Sequence, residues 1–432
     1  MDLNEMARKA RAAFYTLSSV SVEARNRALM RTRETLEEDA EEIFAANRED
    51  LAAAQEEGLA APLLQRLKFD RAKMEQVKEG LRSLAGLPDP IGETVFCHEI
   101  TEGLKLYRVT CPIGVVGVIF ESRPDALVQI ASLTIKSGNA ALLKGGREAL
   151  RTNSALIRSV RRALAESDLP ADAAQLMETR EDVAAMLKED RLIDLIIPRG
   201  SNAFVRYIMD HSRIPVLGHA DGICHVYVDQ DADLEKAWKV ALDSKTQNLS
   251  VCNAAETLLV HRKIAGVFLP QFAEMLREKG VEIRGDEETR GIIACAPATE
   301  EDWSTEYLDA ILSIRIVGSL EQAVEHINYY GSHHTDCILT ENKEAARFFL
   351  DRVDSAGVYV NVSTRFADGF VYGLGAEVGI ATGKIHARGP MGLDGLTTYK
   401  YKLLGNGQTM EEMKNGTRKY THRVLDEQFP IN

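Results

Sequence analysis

The sequence predicts an α/β protein that holds two doubly wound parallel sheets and a small additional β element. Short apolar segments rich in β-branched residues alternate with helical segments, which is the pattern of parallel strands buried on both faces. This alternation occurs on both sides of a break near residues 230–245. At 432 residues the chain is also too long for one simple core, which indicates two or three domains.

A helical lead-in and a hairpin precede the first alternation. Apolar residues spaced three, four or seven apart among Glu and Arg predict helices over residues 2–87 that pack on a sheet. Pro88 and Pro90 end this region. Residues 95–109 then alternate around a Glu-Gly turn, which predicts a β-hairpin. Because a hairpin that stands away from a core often pairs with another subunit, we assign residues 93–109 to oligomerisation.

The first alternation places apolar strands between helical segments and predicts a parallel sheet with helices on both faces. The predicted strands are 115–121 (VVGVIFE), 140–146 (AALLKGG), 192–200 (LIDLIIPRG) and 223–229 (ICHVYVD). Together with the lead-in they define a first domain of residues 1–92 and 110–235.

The second alternation predicts another α/β domain over residues 236–395. Its predicted helices are 234–243, 264–279, 320–329 and 343–351, and its predicted strands are 257–260, 281–284, 336–340 and 358–362. Residues 396–404 alternate again and can join the hairpin, so 396–406 is assigned with it to the oligomerisation element. Residues 407–432 form a C-terminal extension.

Composition and charge exclude several classes of function. A net charge of -13 argues against a nucleic-acid surface, because phosphate backbones are bound by concentrated positive charge. No apolar run approaches the length of a membrane span, and the opening MDLNEMARKARAAF predicts a charged amphipathic helix, so we expect a cytoplasmic protein. The 6 cysteines are scattered without CxxC pairs, so mostly structural thiols and no metal site are expected.

Cys252 lies between a polar loop and an apolar run, in the segment SKTQNLSVCNAAETLLVH. Exposed amides in such a loop lower the pKa of a thiol, and they can hold the oxyanion that forms when sulfur attacks an acyl carbon. The small Ala254 and Ala255 leave room for a substrate carbonyl. Cys252 is therefore a candidate nucleophile. The alternative is a small buried hydrophobic residue, which is what a free cysteine usually is.

A nucleotide-like site is predicted at the ends of two strands, although no GxGxxG segment follows any strand. Gly200, Ser201 and Asn202 lie where a strand becomes a helix, and the free amides of a helix N-terminus attract phosphate. Lys144 ends another strand, at the carboxyl edge where doubly wound sheets bind ligands. The alternatives are an N-capping side chain and a solvated lysine.

Several longer segments occur in an order that is typical of one superfamily. They are PIGVVGVIFESRPDALVQ, IIPRGSN, HADGICHVYVD, the Cys252 segment, TEYLDAILSIRIV and VYVNVS. On these segments the chain resembles the aldehyde dehydrogenase superfamily. The phrases VCNAAETLLVH, YYGSHHTD, NVSTRFADGF and YGLGAEVGIATGKIHARGPMGL resemble, more closely, the gamma-glutamyl phosphate reductase family. The resemblance covers residues 5–405 and leaves 407–432 unmatched.

The resemblance implies an aldehyde dehydrogenase-like fold and an NADPH-dependent reduction of L-glutamyl 5-phosphate to glutamate 5-semialdehyde, the second step of proline biosynthesis from glutamate. Cys252 would displace phosphate, and the thioester so formed would accept hydride. The first domain would bind NADPH, with Lys144 on the adenosine ribose. Gly200 and Ser201 would lie beside the nicotinamide, and Glu306 would bind the nicotinamide ribose.

Two departures from hydrolytic aldehyde dehydrogenases are informative. Those enzymes carry a water-activating glutamate where this chain has His219, and a reductase of an acyl phosphate should lack that glutamate because hydrolysis would waste the thioester. His219 is a candidate proton shuttle or phosphate contact, or a structural loop residue. Ser122 and Arg123 stand where the superfamily has its oxyanion asparagine, so the oxyanion would fall to the Cys252 N–H with Ser122 or Asn253. Arg123 would bind phosphate or carboxylate. Further substrate candidates in loops are His334, Asn361 and Arg365.

Two other enzyme functions stay open, a hydrolytic aldehyde dehydrogenase and a CoA-acylating one. The expected partners are a second copy of the chain, as a dimer or dimer of dimers, and transiently glutamate 5-kinase, which would supply the unstable acyl phosphate. A phosphate-dependent reverse reaction would distinguish the reductase from the hydrolytic enzyme.

Overall fold

The computed structural model describes residues 2–121, 123–178, 181–219, 221–374 and 377–431. A helical lead-in comes first, as predicted. Its helices are α1 (Leu3–Leu17), α2 (Val22–Glu38), α3 (Ala40–Glu56), α4 (Ala61–Leu67) and α5 (Arg71–Gly86). The hairpin follows as β1 (Thr94–Thr101) and β2 (Leu104–Pro112), paired antiparallel.

The first parallel sheet has the strand order β5-β4-β3-β6. Its elements are β3 (Val115–Ile119), α6 (Pro124–Lys136), β4 (Ala140–Lys144), α7 (Leu150–Glu166), β5 (Ala174–Leu176), α8 (Glu181–Met186), β6 (Leu195–Pro198) and α9 (Asn202–His211). Each of its two faces is covered by a separate apolar cluster. Val116 and Val118 pack in the cluster that includes α2, α6 and α7, whereas Val115 and Ile119 pack with α1 and α9. The sheet is therefore doubly wound.

The second sheet has seven strands in the order β10-β9-β11-β8-β7-β12-β13, and its pairs are all parallel. Its elements are β7 (Cys224–Val228), α10 (Leu234–Thr246), β8 (Ala255–His261), α11 (Arg262–Glu278), β9 (Glu282–Gly285), α12 (Glu287–Ile292), β10 (Ala296–Pro297), β11 (Ile311–Val317), α13 (Leu320–Tyr330), β12 (Thr335–Leu339), α14 (Lys343–Arg352) and β13 (Gly357–Val360). Apolar clusters again cover both faces, since Val226 and Leu258 pack with α11 and Tyr227 and Leu259 pack with α13 and α14.

The boundary between the two sheets differs from the prediction. The strand predicted at 223–229 was assigned to the first domain, but β7 pairs with β8 and β12 of the second sheet. Residues 378–395, assigned to the second domain, return to the first, because Val378, Ala381 and Met391 join its apolar cluster. Strands buried on both faces carry no sequence signal for which neighbours they pair with, which explains both errors.

The end of the chain completes a third, antiparallel sheet. The remaining elements are β14 (Gly379–Ala381), β15 (Gly389–Met391), β16 (Thr397–Leu404), α15 (Met410–Lys414) and β17 (Arg423–Leu425). The order β16-β2-β1-β17 confirms that residues 396–404 join the hairpin, and it shows that the extension contributes β17. Among the described residues no helix is long and apolar enough to cross a membrane.

Candidate active site

Cys252 lies in the turn between α10 and β8, at the edge of a cavity of about 560 Å³. Two hydrogen bonds join this turn to the segment 364–367. Asn253 Nδ2 donates to the carbonyl oxygen of Ala367 at 3.0 Å, and Thr364 Oγ1 donates to the carbonyl oxygen of Asn253 at 2.7 Å. The Cys252 side chain keeps part of its surface on the cavity and is not sealed in the core. A small molecule in the cavity can therefore reach the sulfur.

Gly222 fits against the backbone of the same turn. A Cβ at residue 222 would lie 2.5 Å from Cys252 Cα and 2.3 Å from the Cys252 carbonyl oxygen. Contacts that short require the backbone of one segment to move. A glycine at this position therefore lets the segment that carries His219 approach the nucleophile's turn.

A buried ion pair stabilises the turn that carries Cys252. Lys245, in the last turn of α10, binds Glu256, the second residue of β8, and neither side chain is exposed. Glu256 Oε1 also accepts the backbone N–H of Leu308 at 3.2 Å. The pair thus joins both ends of the Cys252 loop to the loop that carries Glu306.

The predicted nicotinamide-side residues line the same cavity. Gly200 and Ser201 follow β6, Ser201 precedes α9, and no capping bond from its side chain is present. Asn202 Nδ2 donates to Glu306 Oε2 at 2.6 Å, and burial raises the pKa of Glu306. A Cβ at residue 200 would lie 3.1 Å from the Glu121 carboxyl. Glycine avoids this close contact and leaves the backbone open to a ligand at this position. Free helix amides beside an open cavity fit the ring and phosphates of a nicotinamide nucleotide.

Lys144 lies at the same edge of the first sheet as Gly200 and Ser201, but it does not line the 560 Å³ cavity. It ends β4, is 7% exposed, and its Nζ donates to the Gly145 carbonyl oxygen at 2.7 Å. It is absent from the described residues that line the 560 Å³ cavity. It thus lies at the carboxyl end of a strand in the first sheet, the edge where doubly wound sheets bind ligands.

A second cavity of about 780 Å³ meets the first at Arg123, Arg199 and Glu377, which line both. Asp368 and residues of α5 and α6 complete its wall. Arg123 Nη2 donates to Asp125 at 2.9 Å, whereas no salt bridge is found for Arg199 among the described residues. The meeting point therefore offers two guanidinium groups and a carboxylate on the cavity that Cys252 lines.

Two imidazoles lie beside Cys252. One ring nitrogen of His219, one of His334 and the Cys252 sulfur are all within 4.8 Å of one another. His219 Nδ1 donates to the Ile380 carbonyl oxygen at 3.0 Å, which leaves a lone pair on Nε2. Burial lowers the pKa of His219, so the neutral ring is favoured. His219 is therefore a neutral proton acceptor near the thiol.

The predicted low pKa of the thiol is wrong. Burial, together with the carboxylates of Glu306 and Glu377, raises the pKa of Cys252 to about 12, although its own backbone N–H and Arg199 oppose the rise. The amides of the loop are adjacent to Cys252 in the sequence, whereas the two carboxylates reach it from distant segments. The sulfur accordingly rests as a thiol and needs a base before it can attack.

Not every predicted contact comes to the cavity. Both polar atoms of the Asn361 side chain bind the backbone of Thr340, where the left-handed Asn361 (φ 57°) reverses the chain after β13. Asn361 lines neither of the two cavities, so the structure does not bring this predicted substrate contact to Cys252. The Asn253 amide holds Ala367, and Arg365 Nε donates to Gln247 Oε1 at 2.9 Å. Ser122 lies outside the described residues.

Three residues near the sulfur were missed in the sequence. Arg199 stands inside the IIPRGSN segment, and a charged residue directly after a buried strand was an available signal. Glu377 and Cys224 carried no local signal, because Glu377 arrives from a loop and Cys224 begins a strand of uniformly buried residues.

Comparison with known proteins decides the family. The model of the aldehyde dehydrogenase family matches residues 1–296. Gamma-glutamyl phosphate reductase of Acetivibrio thermocellus is 57% identical over 431 residues, which are 100% of both chains. The enzyme of that name from Pelotomaculum thermopropionicum is 56% identical over 100% of this chain and 99% of its own. The chain belongs to the gamma-glutamyl phosphate reductases of the aldehyde dehydrogenase family. It is therefore an oxidoreductase of the class that acts on aldehyde groups.

Solved structures agree with this family. The crystal structure of gamma-glutamyl phosphate reductase from Thermotoga maritima is similar with a TM-score of 0.93 and 43% identity, over 95% of this chain and 100% of that one. An engineered glycolyl-CoA reductase with bound NADP⁺ has a TM-score of 0.64 at 15% identity, over 93% and 96% of the two chains, and shares the fold. The two curated relatives match this chain to its end, so the description of 407–432 as an unmatched extension is wrong.

Proposed function

We propose that the protein reduces L-glutamyl 5-phosphate to L-glutamate 5-semialdehyde and phosphate with NADPH, the second step of proline biosynthesis from glutamate. The observation that carries the proposal is the position of Cys252, on a cavity that meets a second one at two arginines. An acyl phosphate needs a nucleophile for its carbonyl carbon and cations for its leaving group at the same place. Full-length relatives named for this reaction support the assignment.

Arg199 is proposed to bind the leaving phosphate. Its guanidinium charge acts directly on the Cys252 thiol and opposes the rise of that thiol's pKa. Phosphate in this substrate is bonded to the carbon that the sulfur attacks, so a cation whose charge reaches the sulfur can also meet the phosphate. A guanidinium matches phosphate with two parallel hydrogen bonds. Arg123 then serves the phosphate or the substrate's α-carboxylate.

The 780 Å³ cavity is proposed to hold the amino-acid end of the substrate. That end carries an ammonium and a carboxylate, so a matching cavity needs groups of both signs. Arg123, Glu377 and Asp368 supply them. The walls of this cavity come from α5 and α6, whereas Gly200 and Ser201 line the 560 Å³ cavity, so the proposed substrate and nucleotide positions lie in different cavities.

The proposed chemistry at Cys252 begins with transfer of the thiol proton to His219 Nε2. The thiolate attacks the acyl carbon, phosphate leaves with the bonding electron pair, and a thioester remains. The Cys252 backbone N–H is the proposed donor to the oxyanion, since the Asn253 amide is engaged with Ala367. Gly200, Ser201 and Glu306 would hold the nicotinamide end of NADPH and Lys144 the adenosine ribose. When bound, NADPH supplies the hydride that releases the aldehyde.

The loop around His219 is consistent with a thioester that is protected from water. The nearby carboxylate of Asp221 accepts Asn202 Nδ2 at 2.9 Å and forms a salt bridge with Arg206. A carboxylate engaged in this way is a poor base for water. Phosphate, rather than water, is therefore the proposed partner of the thioester in the reverse direction.

We also propose a homo-oligomer, with glutamate 5-kinase as a transient partner that delivers the acyl phosphate. The support for the oligomer is β16, which forms one edge of the antiparallel sheet and exposes Tyr399, Tyr401 and Leu403. Unpaired strand edges of this kind favour association with another chain.

The proposed function is tested in the reverse direction. Pyrroline-5-carboxylate, in equilibrium with the semialdehyde, should reduce NADP⁺ only when inorganic phosphate is present, because phosphate must take the acyl group from Cys252. The measurement is nucleotide absorbance in phosphate-free buffer, with sulfate at matched ionic strength as the control and phosphate added stepwise. Turnover that ignores phosphate would refute the proposal and favour a hydrolytic enzyme.

Replacement of Arg199 by methionine should weaken phosphate use selectively. A hydrogen bond to a charged group contributes about 1.5–3 kcal/mol, so the KM for phosphate should rise about 10- to 150-fold. NADP⁺ affinity should stay within about twofold. Arg347→Met is the matched control, because Arg347 is 85% exposed on α14. An unchanged KM for phosphate in Arg199→Met would remove this arginine from the reaction.

Replacement of Gly222 by alanine should displace the nucleophile. The added methyl group meets the Cys252 backbone, and a shift of about 1 Å in a catalytic group can lower the rate about 100-fold. We expect kcat to fall by about that factor while far-UV circular dichroism is retained. Gly266→Ala is the control, since nothing lies within 4 Å of a Cβ there. Wild-type kcat in Gly222→Ala would show that the turn can relax without loss of geometry.

A further inference from the structure

The cluster of His219, Cys252 and His334 has the composition of a soft-metal site. The three side chains come from separate segments of the chain, yet one candidate ligand atom of each lies within 4.8 Å of the other two. One thiolate and two imidazoles are ligands that Zn²⁺ binds with tetrahedral geometry, with a fourth position left for water. Because residues 219, 252 and 334 lie far apart in the sequence, this arrangement could not be predicted from it.

The second imidazole has a free and buried nitrogen. His334 is 1% exposed, and its Nε2 has no hydrogen-bond partner among the described residues. Its Nδ1 lies 3.0 Å from Thr335 Oγ1 and 3.7 Å from Cys224 Sγ. Leaving a buried nitrogen unpaired costs about 1–3 kcal/mol, and native structures rarely do so without a reason. A metal ion on Nε2 would satisfy it.

The surroundings of both rings suit metal ligation. Histidines that bind metals usually donate the other ring N–H to a carbonyl or another acceptor, which fixes the ring. His219 Nδ1 does this to the Ile380 carbonyl oxygen, and Thr335 Oγ1 can accept from His334 Nδ1. The Nε2 atoms of both rings are then the nitrogens left for the cation. A tetrahedral Zn²⁺ needs its ligands roughly 3.3–3.7 Å apart, so adjustments of about 1 Å would close the site.

We propose that His219, Cys252 and His334 form an inhibitory site for Zn²⁺. Binding joins Zn²⁺ to the Cys252 sulfur and to one nitrogen of each histidine, and the thiol proton is released to solvent. The sulfur that the proposed function requires as a nucleophile is then blocked, and so is the base His219. The inhibitory part rests on the proposed function, whereas the binding of the metal does not. The absence of oxygen ligands in the cluster distinguishes it from Mg²⁺ and Ca²⁺ sites.

The test measures metal binding and turnover separately. Chelator-treated full-length protein is dialysed against Zn²⁺, and Co²⁺ is used as a coloured substitute. We expect about one tightly bound Zn²⁺ per chain and a thiolate-to-cobalt charge-transfer band in the near ultraviolet. Cys252→Ser should lose the band, and His219→Gln and His334→Gln should each weaken Zn²⁺ binding at least about tenfold. Cys295→Ser is the control thiol and should bind as the wild type.

The outcomes separate the two proposals. Zn²⁺ binding that Cys252→Ser and both histidine variants leave unchanged overturns the site, as does the absence of binding at micromolar Zn²⁺. A band that survives in Cys252→Ser but is lost in Cys224→Ala would place the metal on the other sulfur and also overturn it. Metal binding without phosphate-dependent turnover would refute the proposed function alone. Turnover that saturating Zn²⁺ does not inhibit refutes the inhibitory role.

Discussion

Replacement of Cys252 by alanine is expected to abolish turnover in both directions while the affinity for NADP⁺ stays within about twofold. Loss of a covalent nucleophile lowers kcat by about 10⁴-fold or more in enzymes that form acyl intermediates. Cofactor affinity should be retained because Gly200, Ser201 and Glu306 belong to other segments of the cavity wall. The measurements are steady-state kinetics and nucleotide binding by fluorescence.

Two controls make this test specific. Cys337→Ala removes a thiol that is fully buried in β12 and should keep kcat near the wild-type value. Labelling with iodoacetamide followed by mass spectrometry should modify Cys252 in the wild type, and saturating acyl phosphate should protect it. Substantial activity in Cys252→Ala would mean that another group carries the acyl transfer.

Replacement of Lys245 by methionine is expected to be the most destabilising single change at the site. Lys245 and Glu256 are both fully buried, and loss of one partner leaves a buried carboxyl without its cation. Such a loss costs about 3–5 kcal/mol. Urea unfolding monitored by tryptophan fluorescence should show a lower midpoint, because Trp238 and Trp303 both lie in the second domain.

The size of this effect should depend on pH. Burial raises the pKa of Glu256 to about 7 even with Lys245 beside it, and the methionine variant should raise it further. An acid whose pKa is higher in the folded than in the unfolded protein binds more protons when folded, so its contribution to stability falls as pH rises toward the folded value. The difference between variant and wild type should therefore be larger at pH 8.5 than at pH 6.

A double variant tests the cause. Lys245→Met with Glu256→Gln removes both charges, so part of the lost stability should return and the pH dependence should disappear. If the double variant is no more stable than Lys245→Met and keeps its pH dependence, the buried carboxyl is not the source of the loss.

Most helices and strands could be predicted from the sequence because apolar strands and amphipathic helices are local signals, but the seven-residue strand β11 was missed. Sheet membership was less predictable, as the strand at Cys224–Val228 shows, since it pairs with strands that lie far apart in sequence. Short elements such as β14 and β15 carried no periodic signal.

The site could be predicted where a residue type, or a resemblance to known enzymes, indicates the chemistry. Cys252 was identified from its residue type and local context, and His219 and Glu306 from the resemblance to the aldehyde dehydrogenases; the structure brings all three to one cavity. The electrostatics were not predictable, because the pKa of Cys252 depends on Glu377 and Arg199, which reach it through the tertiary fold. The pKa of a thiol depends on all the groups that surround it in space, and only some of these groups are neighbours in the sequence.

The C-terminal strand β17 has a consequence for how large an assembly can grow. It covers the margin of β1, where Arg423 binds Glu99, while β16 leaves the opposite margin of the same sheet open. β17 is then the outer strand on that side, but with 3 residues it offers a neighbour little backbone to pair with, whereas β16 offers 8 residues. If two copies paired through β16, each would use its long edge strand, and the short β17 would disfavour extension of the ribbon into a filament.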